Sequence, residues 1–168
     1  MKVFLIRHGD ADADIPEGLE DEARSLTSRA RLALPNHFGA LVARIGMPNV
    51  LFMSPLVRAV QTATLLAQAL RYEGPMRANR TLFPDGPVGA IEGLLAERLG
   101  ETVVLVGHQP SMGSIAAHFL GLPSFPKPVQ PGTVIGIERP DDNLAAGKLL
   151  FYAAPGQPIF EGSLQEAP

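Results

Sequence analysis

The stretch KVFLIRHG, residues 2–9, joins an apolar run to a basic end that carries a glycine. Residues 2–6 are mainly β-branched, aromatic and aliphatic and show no helical period, which predicts a short buried strand. Arg7 and His8 follow that run directly. Gly9 comes next and permits close approach of the backbone to a ligand. The stretch therefore predicts a strand whose carboxyl end carries reactive side chains.

Two further strands end in the same way. Residues 49–53 (NVLFM) precede Ser54, and residues 102–106 (TVVLV) precede Gly107 and His108. Continuous apolar runs of this length are typical of parallel strands that are covered on both faces. Shorter strands are predicted over residues 76–78, 133–138 and 148–152, the last two of them antiparallel.

Helices alternate with these strands. A helix capped by Thr27 or Ser28 is predicted to reach about residue 45, and at Pro35 it either kinks or gives way to a second helix. Ser54 is predicted as the N-cap of the next helix, which has a proline in its first turn. The other helices are predicted over residues 88–99 and 110–120.

This alternation predicts an α/β fold, a three-layer α/β/α sandwich around a mostly parallel sheet. Residues 1–153 are interpreted as a single domain. Residues 154–168 are rich in proline, glycine and polar groups and are interpreted as an extended C-terminal tail.

Composition excludes several classes of function. The 168 residues include no cysteine, so disulfides, thiolate zinc sites, iron–sulfur clusters and cysteine nucleophiles are excluded. The formal net charge of -3 argues against broad nucleic-acid binding, although a pocket can be basic on an acidic protein. The first apolar run is too short for a signal peptide or a membrane span. We therefore expect a soluble, cytoplasmic protein that binds neither nucleic acid nor membrane.

The aspartates after the first strand, Asp10, Asp12 and Asp14, could open a calcium loop. Such a loop needs a glycine at its sixth position and a bidentate acid at its twelfth. Counting from Asp10, these positions hold Ile15 and Asp21, and a strand rather than a helix leads in. The pattern favours a solvated acidic loop over a metal site.

An anion site fits the basic residues better. In sheets of this kind ligands bind beyond the carboxyl ends of the strands, where Arg7, His8 and His108 are expected. Arg58 falls in the first turn of a predicted helix, where the helix N-terminus favours anions. Two arginines and two histidines at one edge predict a site for a tetrahedral dianion, which Ser54 is positioned to touch.

The same four residues suggest a reaction. Neutral imidazole is a good nucleophile for phosphorus, so His8 is predicted to form a covalent phosphohistidine that water later hydrolyses. Arginine grips two phosphate oxygens at once and stays charged. His108 is predicted to be protonated, or at least to donate, toward oxygens on which charge develops. Because these groups supply the positive charge, neither a metal nor another cofactor is expected.

Three segments resemble the signatures of the histidine phosphatase superfamily, the group related to phosphoglycerate mutase. They are LIRHG (5–9), SPLVRAVQTA (54–63) and VGHQP (106–110). The short length, the RHGDA opening and the GHxP step are similar to the SixA-type bacterial phosphohistidine phosphatases. The mutases carry a glutamate directly after RHG, and the acid phosphatases and phytases an aspartate after the second histidine. This chain has Asp10 and Gln109 there.

The resemblance implies roles for single residues within a phosphoglycerate mutase-like fold. His8 would be the phosphorylated nucleophile, and Arg7, Arg58 and His108 would form the phosphate pocket. The step RSLT, which opens with Arg24, matches an arginine-x-leucine-threonine step of the SixA branch and implies a place for that arginine near the mouth of the site.

The general acid is the least defined part of the site. Hydrolysis of a phosphate ester needs a proton for the leaving alkoxide, typically from a carboxyl group. Asp85 and Asp10 are the possible acids, but the stronger explanation is turn formation for Asp85 and backbone hydrogen bonding for Asp10. A phosphoramidate such as phosphohistidine depends less on such an acid, because imidazole leaves more readily.

Three functions stay open at this point. The favoured one is a metal-independent phosphatase acting on protein phosphohistidine, whose partner is a histidine-phosphorylated protein. The second is a phosphomonoesterase acting on a small sugar or nucleotide phosphate. The third is a weakly catalytic phosphate-binding module that regulates a partner. The sequence does not indicate an oligomeric state.

Overall fold

The computed structural model describes residues 1–97, 100–142 and 145–164. Within these residues a six-stranded sheet forms the centre of the molecule. The strands are β1 (Lys2–Arg7), β2 (Val50–Met53), β3 (Met76–Ala78), β4 (Thr102–Gly107), β5 (Val134–Glu138) and β6 (Lys148–Ala153).

The strands lie in the order β3-β2-β4-β1-β5-β6. β4 pairs in parallel with β1 on one side and with β2 on the other, and β2 pairs in parallel with β3. β5 is antiparallel to both β1 and β6, so it alone of the six runs against the rest. The predicted mostly parallel sheet with an antiparallel last pair is confirmed.

Helices cover both faces of this sheet. They are α1 (Ser28–Gly39), α2 (Val42–Ile45), α3 (Val57–Leu70), α4 (Ala90–Leu95) and α5 (Ser111–Leu120). Successive side chains of a strand point to opposite faces, so Phe4 and Ile6 pack with α1 and α3, whereas Val3 and Leu5 pack with α4 and α5. Burial on both faces explains the continuous apolar runs and confirms the three-layer α/β/α architecture.

The first helix begins where the sequence predicts, but it does not end at Pro35. Thr27 Oγ1 accepts a hydrogen bond from the Ala30 N–H at 3.0 Å, which confirms Thr27 as the cap of α1. Pro35 lies inside α1, and the second helix begins only at Val42. The buried side chain of Phe38, one turn further on, continues the face that α1 packs on the core beyond the proline.

Two helices begin two residues later than predicted. α3 starts at Val57 with Leu56 as its cap residue, so the prediction of Ser54 as N-cap is wrong. The backbone of Leu56 is extended (φ -67°, ψ 143°), so the helix cannot begin before Val57. The Ser54 Oγ accepts the Leu56 N–H at 3.3 Å. α4 starts at residue 90 rather than 88, and residues 98–99 of its predicted span lie outside the described residues.

Two sequence expectations are not decided by the fold. After β6 the chain turns back, and Tyr152 and Phe160 exchange two backbone hydrogen bonds of 2.9 Å; residues 165–168 lie outside the described residues. The division into a domain of residues 1–153 and a tail of 154–168 stays a prediction. No helix in the described part of the chain is long and apolar enough to cross a membrane, and the cytoplasmic location also stays a prediction.

Candidate active site

The carboxyl ends of three neighbouring strands meet at one cavity. The register aligns Arg7 of β1 with Gly107 of β4, and the His8 N–H donates to the Gly107 carbonyl at 2.9 Å. The Ser54 N–H, just after β2, donates to the Val106 carbonyl at 2.9 Å. A cavity of about 250 Å³ lies at this edge, lined by Arg7, His8, Asp10, Ala11, Arg24, Arg58, Pro84, His108, Gln109 and Pro131.

His8 is held in a form suited to nucleophilic attack. Its side chain is buried, with 9% of the residue exposed, and Nδ1 lies 2.6 Å from the Gly9 carbonyl. A carbonyl oxygen can only accept, so Nδ1 carries the proton and Nε2 keeps its lone pair. Burial lowers the pKa of His8 to about 4; the Gly9 carbonyl opposes this, and the charges of Arg58, Arg7 and Arg24 add to it. The ring is therefore neutral at physiological pH.

His108 faces His8 across the site. The two ring centroids lie 5.0 Å apart at an interplanar angle of 60°. His108 Nε2 and Ser54 Oγ form a 2.8 Å hydrogen bond. Burial lowers the pKa of His108 to about 3, and the charges of His8, Arg58 and Arg7 contribute to this, while Asp21 opposes it. A protonated His108 is therefore disfavoured, and a neutral ring that donates from one nitrogen fits the geometry.

The two arginines that are predicted to bind phosphate, Arg7 and Arg58, form hydrogen bonds through terminal guanidinium nitrogens but not through Nε. Arg7 Nη1 donates to the Val129 carbonyl at 2.9 Å, and burial lowers the pKa of Arg7 although Asp10 opposes this. Arg58 donates to Asp21 through Nη1 and Nη2. Among the described residues no hydrogen-bond partner is found for the buried Nε of either arginine or for Nδ1 of His108. All three residues also line the cavity, where guanidinium and imidazole N–H groups favour an oxyanion.

The remaining predicted site residues divide into two groups. Arg24 and Asp10 line the cavity, and Ser54 reaches it through His108. Asp85 is exposed and is absent from the cavity lining, where its neighbour Pro84 lies instead. The structure thus brings one of the two possible general acids to the site and not the other.

Three contacts at the site were not foreseen from the sequence. Thr62 Oγ1 accepts the Gly9 N–H at 3.0 Å and donates to the Arg58 carbonyl at 2.8 Å. Gln61 Oε1 accepts the Leu26 N–H at 2.8 Å. Their spacing of three and four residues from Arg58 places both on its side of α3, a signal that was available. The third contact is Asp21, whose loop offers no such period.

The donor set of the cavity is that of an anion site. Three arginines and two histidines line it, with Asp10 as its carboxylate. Across the described residues no group of three or more histidine, aspartate or glutamate side chains is arranged to hold a metal ion. The arrangement can bind an oxyanion and present a neutral imidazole nitrogen to it.

Two curated relatives align over most of the chain. The phosphohistidine phosphatase SixA of Escherichia coli (strain K12) is 30% identical over 124 residues, which cover 70% of this chain and 73% of the relative. An uncharacterized protein of Picosynechococcus sp. is 35% identical over 121 residues, which cover 69% of this chain and 71% of the relative. No family model matches the chain.

Solved structures share the fold over nearly its whole length. The protein histidine phosphatase SixA in complex with tungstate superposes with a TM-score of 0.81 at 23% identity, covering 92% of this chain and 97% of that one. A mycobacterial glucosyl-3-phosphoglycerate phosphatase superposes with a TM-score of 0.67 at 16% identity, covering 88% and 96%. At these identities the likeness concerns the fold alone.

Proposed function

The chain belongs to the histidine phosphatase superfamily, with SixA among its relatives, and we propose that it is a metal-independent phosphatase that works through a covalent phosphohistidine on His8. We further propose phosphohistidine on a protein as its preferred substrate. The observation that carries the proposal is the convergence of Arg7, Arg58 and His108 on the one cavity that the neutral, buried His8 also lines.

The reaction follows from the state of these groups. Arg7 and Arg58 hold the phosphoryl oxygens, and the lone pair of His8 Nε2 attacks phosphorus. The bond from phosphorus to the substrate imidazole breaks, its electron pair stays on that ring, and the ring takes up a proton from solvent. Water then attacks phosphorus and releases a proton to solvent. The bond to Nε2 breaks, its electron pair returns to His8, and inorganic phosphate leaves. The Gly9 carbonyl stabilises the positive charge that His8 carries while phosphorylated.

The substrate preference rests on the supply of protons at the site. Asp85 is exposed and does not line the cavity. An N–P substrate needs such an acid less than an ester does, and the E. coli relative is named as a phosphohistidine phosphatase. Asp10 in the lining favours the alternative, a small phosphomonoester, because it could protonate an alkoxide. The third possibility, a weakly catalytic binding module, is disfavoured by the complete set of four basic residues.

One experiment tests both parts of the proposal. The protein is incubated with radiolabelled phosphoramidate and, separately, with an aryl phosphate, then quenched in alkali. We expect acid-labile label on His8 and a phosphoramidate rate well above the ester rate. His8→Asn should abolish the label and the hydrolysis of both substrates. His118→Asn is the control: it changes an exposed histidine that pairs with Glu92, and it should leave label and hydrolysis unchanged.

The outcomes separate cleanly. Full hydrolysis by His8→Asn without label would exclude the covalent mechanism. A phosphoramidate-to-ester ratio below one would instead overturn the phosphohistidine preference and support the small-molecule function. Asp10→Asn would then be expected to slow ester hydrolysis about 10²-fold or more, with Asp85→Asn as its matched control.

A further inference from the structure

Asp21 connects two arginines of the site that come from different parts of the chain. Its Oδ1 accepts from Arg24 Nε at 2.7 Å, and its Oδ2 accepts from Arg58 Nη2 at 3.2 Å. Its backbone carbonyl accepts a further bond from Arg58 Nη1 at 3.1 Å. Arg24 precedes α1, whereas Arg58 lies in the first turn of α3. One loop residue thus holds two cationic side chains of the cavity lining.

This contact differs from an ordinary surface ion pair. The Arg58 side chain is only 5% exposed, whereas that of Asp21 is 54% exposed. A buried guanidinium needs an anionic partner nearby, and removing the partner leaves an uncompensated charge. Asp21 is the acidic side chain that the described residues supply to Arg58. Loss of the pair would therefore leave a buried, uncompensated charge on Arg58, whereas the exposed Asp21 would be solvated by water.

The hydrogen bonds to Asp21 also fix the orientation of the Arg58 guanidinium plane. Asp21 takes one N–H from each terminal nitrogen, and the buried Nε–H has no partner in the described part of the chain. A guanidinium carries five N–H groups in a rigid plane. Anchoring its terminal nitrogens on one side sets the direction in which the remaining N–H groups point. Such anchoring is how binding sites hold a geometry before the ligand arrives.

Asp21 is not suited to be the missing acid. Its hydrogen bond from Arg24 lowers the pKa of the Asp21 carboxyl, with the charges of Arg58 and Arg24 adding to this and weak burial opposing it. The carboxyl is therefore ionised at neutral pH and has no proton to donate.

We propose that Asp21 is a positioning residue, which joins Arg58 and Arg24 into one preorganised clamp for the phosphoryl group. The proposal rests on the proposed function for its ligand, a tetrahedral oxyanion, but not on turnover. Preorganised donors bind such an anion without having to reorient, so loss of Asp21 weakens ground-state binding more than it slows the later chemical steps.

The test uses inorganic phosphate as the probe, titrated into the full chain by calorimetry. Asp21→Asn keeps the backbone carbonyl contact and removes the charge, and we expect phosphate to bind about tenfold more weakly. KM should rise by a similar factor, with kcat changed less than about threefold. Glu22→Gln is the matched control, since it removes one negative charge from the adjacent exposed position, and it should bind phosphate like the wild type.

A spectroscopic readout separates positioning from a general loss of stability. In the wild type, NMR signals of the Arg58 guanidinium should show slow rotation, and Asp21→Asn should make it faster at an unchanged unfolding midpoint. Phosphate binding by Asp21→Asn that equals or exceeds the wild type would overturn the proposal, because the carboxylate would then be a bystander or a competitor of the anion. Wild-type protein that binds phosphate but hydrolyses neither substrate would overturn the proposed function alone. Absence of phosphate binding by the wild type would overturn both.

Discussion

His8 shows how burial at a single residue sets its chemistry. An exposed imidazole is half protonated near pH 6.5, and a protonated ring has no lone pair with which to attack. Burial and three nearby arginines lower the pKa of His8 to about 4, while the Gly9 carbonyl leaves Nε2 unprotonated. The proposed nucleophile is thus unprotonated at Nε2 over the whole physiological pH range without a separate base.

This shifted pKa predicts a pH dependence of stability. The pKa of His8 is lower in the folded than in the unfolded chain. Its contribution to the free energy of unfolding is therefore complete above about pH 6.5 and is lost as the pH falls through about 4. Between pH 7 and pH 5 the free energy of unfolding should fall by roughly 1–2 kcal/mol through this group. Urea unfolding at the two pH values measures it. His8→Asn should remove this part of the fall and leave the part due to His108, whose pKa is also lowered. An equally steep fall in that variant would contradict the assignment.

At Gly9, which follows His8, we expect any larger side chain to clash with the core. A Cβ at Gly9 would lie 2.7 Å from Leu34 Cδ1 and 3.2 Å from Leu26 Cδ2. Gly9→Ala should therefore lower the free energy of unfolding by about 1–3 kcal/mol. Gly93→Ala is the control, because a Cβ there meets nothing within 4 Å and the helix gains about 0.5–1 kcal/mol. Thermal unfolding of both variants gives the comparison, and equal midpoints would refute it.

At the scale of elements, the start of α3 fastens the loop of residues 9–26. Arg58 donates to Asp21, Gln61 accepts from the Leu26 N–H, and Thr62 accepts from the Gly9 N–H. A helix is a rigid frame, so three contacts along one side fix a loop that has little regular structure of its own. The motif SPLVRAVQTA thus serves the site through the loop as well as through Arg58.

The Thr62 contact predicts a difference between two conservative substitutions. Thr62→Val keeps the shape but leaves the buried Gly9 N–H unpaired, which should lower the free energy of unfolding by about 1–3 kcal/mol and kcat/KM about tenfold. Thr62→Ser keeps the hydroxyl and should retain kcat/KM within about threefold. Steady-state kinetics and urea unfolding measure both. A Val variant as active as the Ser variant would show that this hydrogen bond does not position the site.

At the scale of the whole molecule, the segment after β6 joins distant parts of the fold. The Phe160 ring lies 4.0 Å from the Lys127 ammonium and packs against the core on the α5 side. Glu161 pairs with Arg44 at 2.6 Å. These contacts reach both the loop after α5 and the helix α2, although the composition of the segment is that of a tail.

Truncation after Ala153 tests the predicted domain boundary. From the contacts of Phe160 and its two ladder bonds, we expect the shortened chain to fold but to lose about 2–4 kcal/mol of unfolding free energy. Phe160→Ala in the full chain should account for about half of that loss. An unchanged unfolding midpoint after truncation would instead support the boundary at residue 153.

Much of the architecture could be predicted from the sequence. Apolar runs with both faces buried identified the main strands, because a strand's side chains alternate between the two core layers. Helix starts were less secure, as Ser54 shows. Its local pattern favours a cap, but its side chain bonds to His108, which directly follows β4 and lies 54 residues away, and no local rule includes such a contact.

The sequence by itself determined where the basic side chains of the candidate site lie: Arg7, His8 and His108 at strand ends, and Arg58 in the first turn of the helix between them. That information is local, since residue type and strand position are set along the chain. Only the tertiary structure decided which carboxylates reach the cavity, because Asp10, Asp21 and Asp85 all lie in loops whose paths depend on contacts far away. It likewise decided the pKa of His8, since burial and the approach of three arginines exist only once the sheet and its helices have assembled.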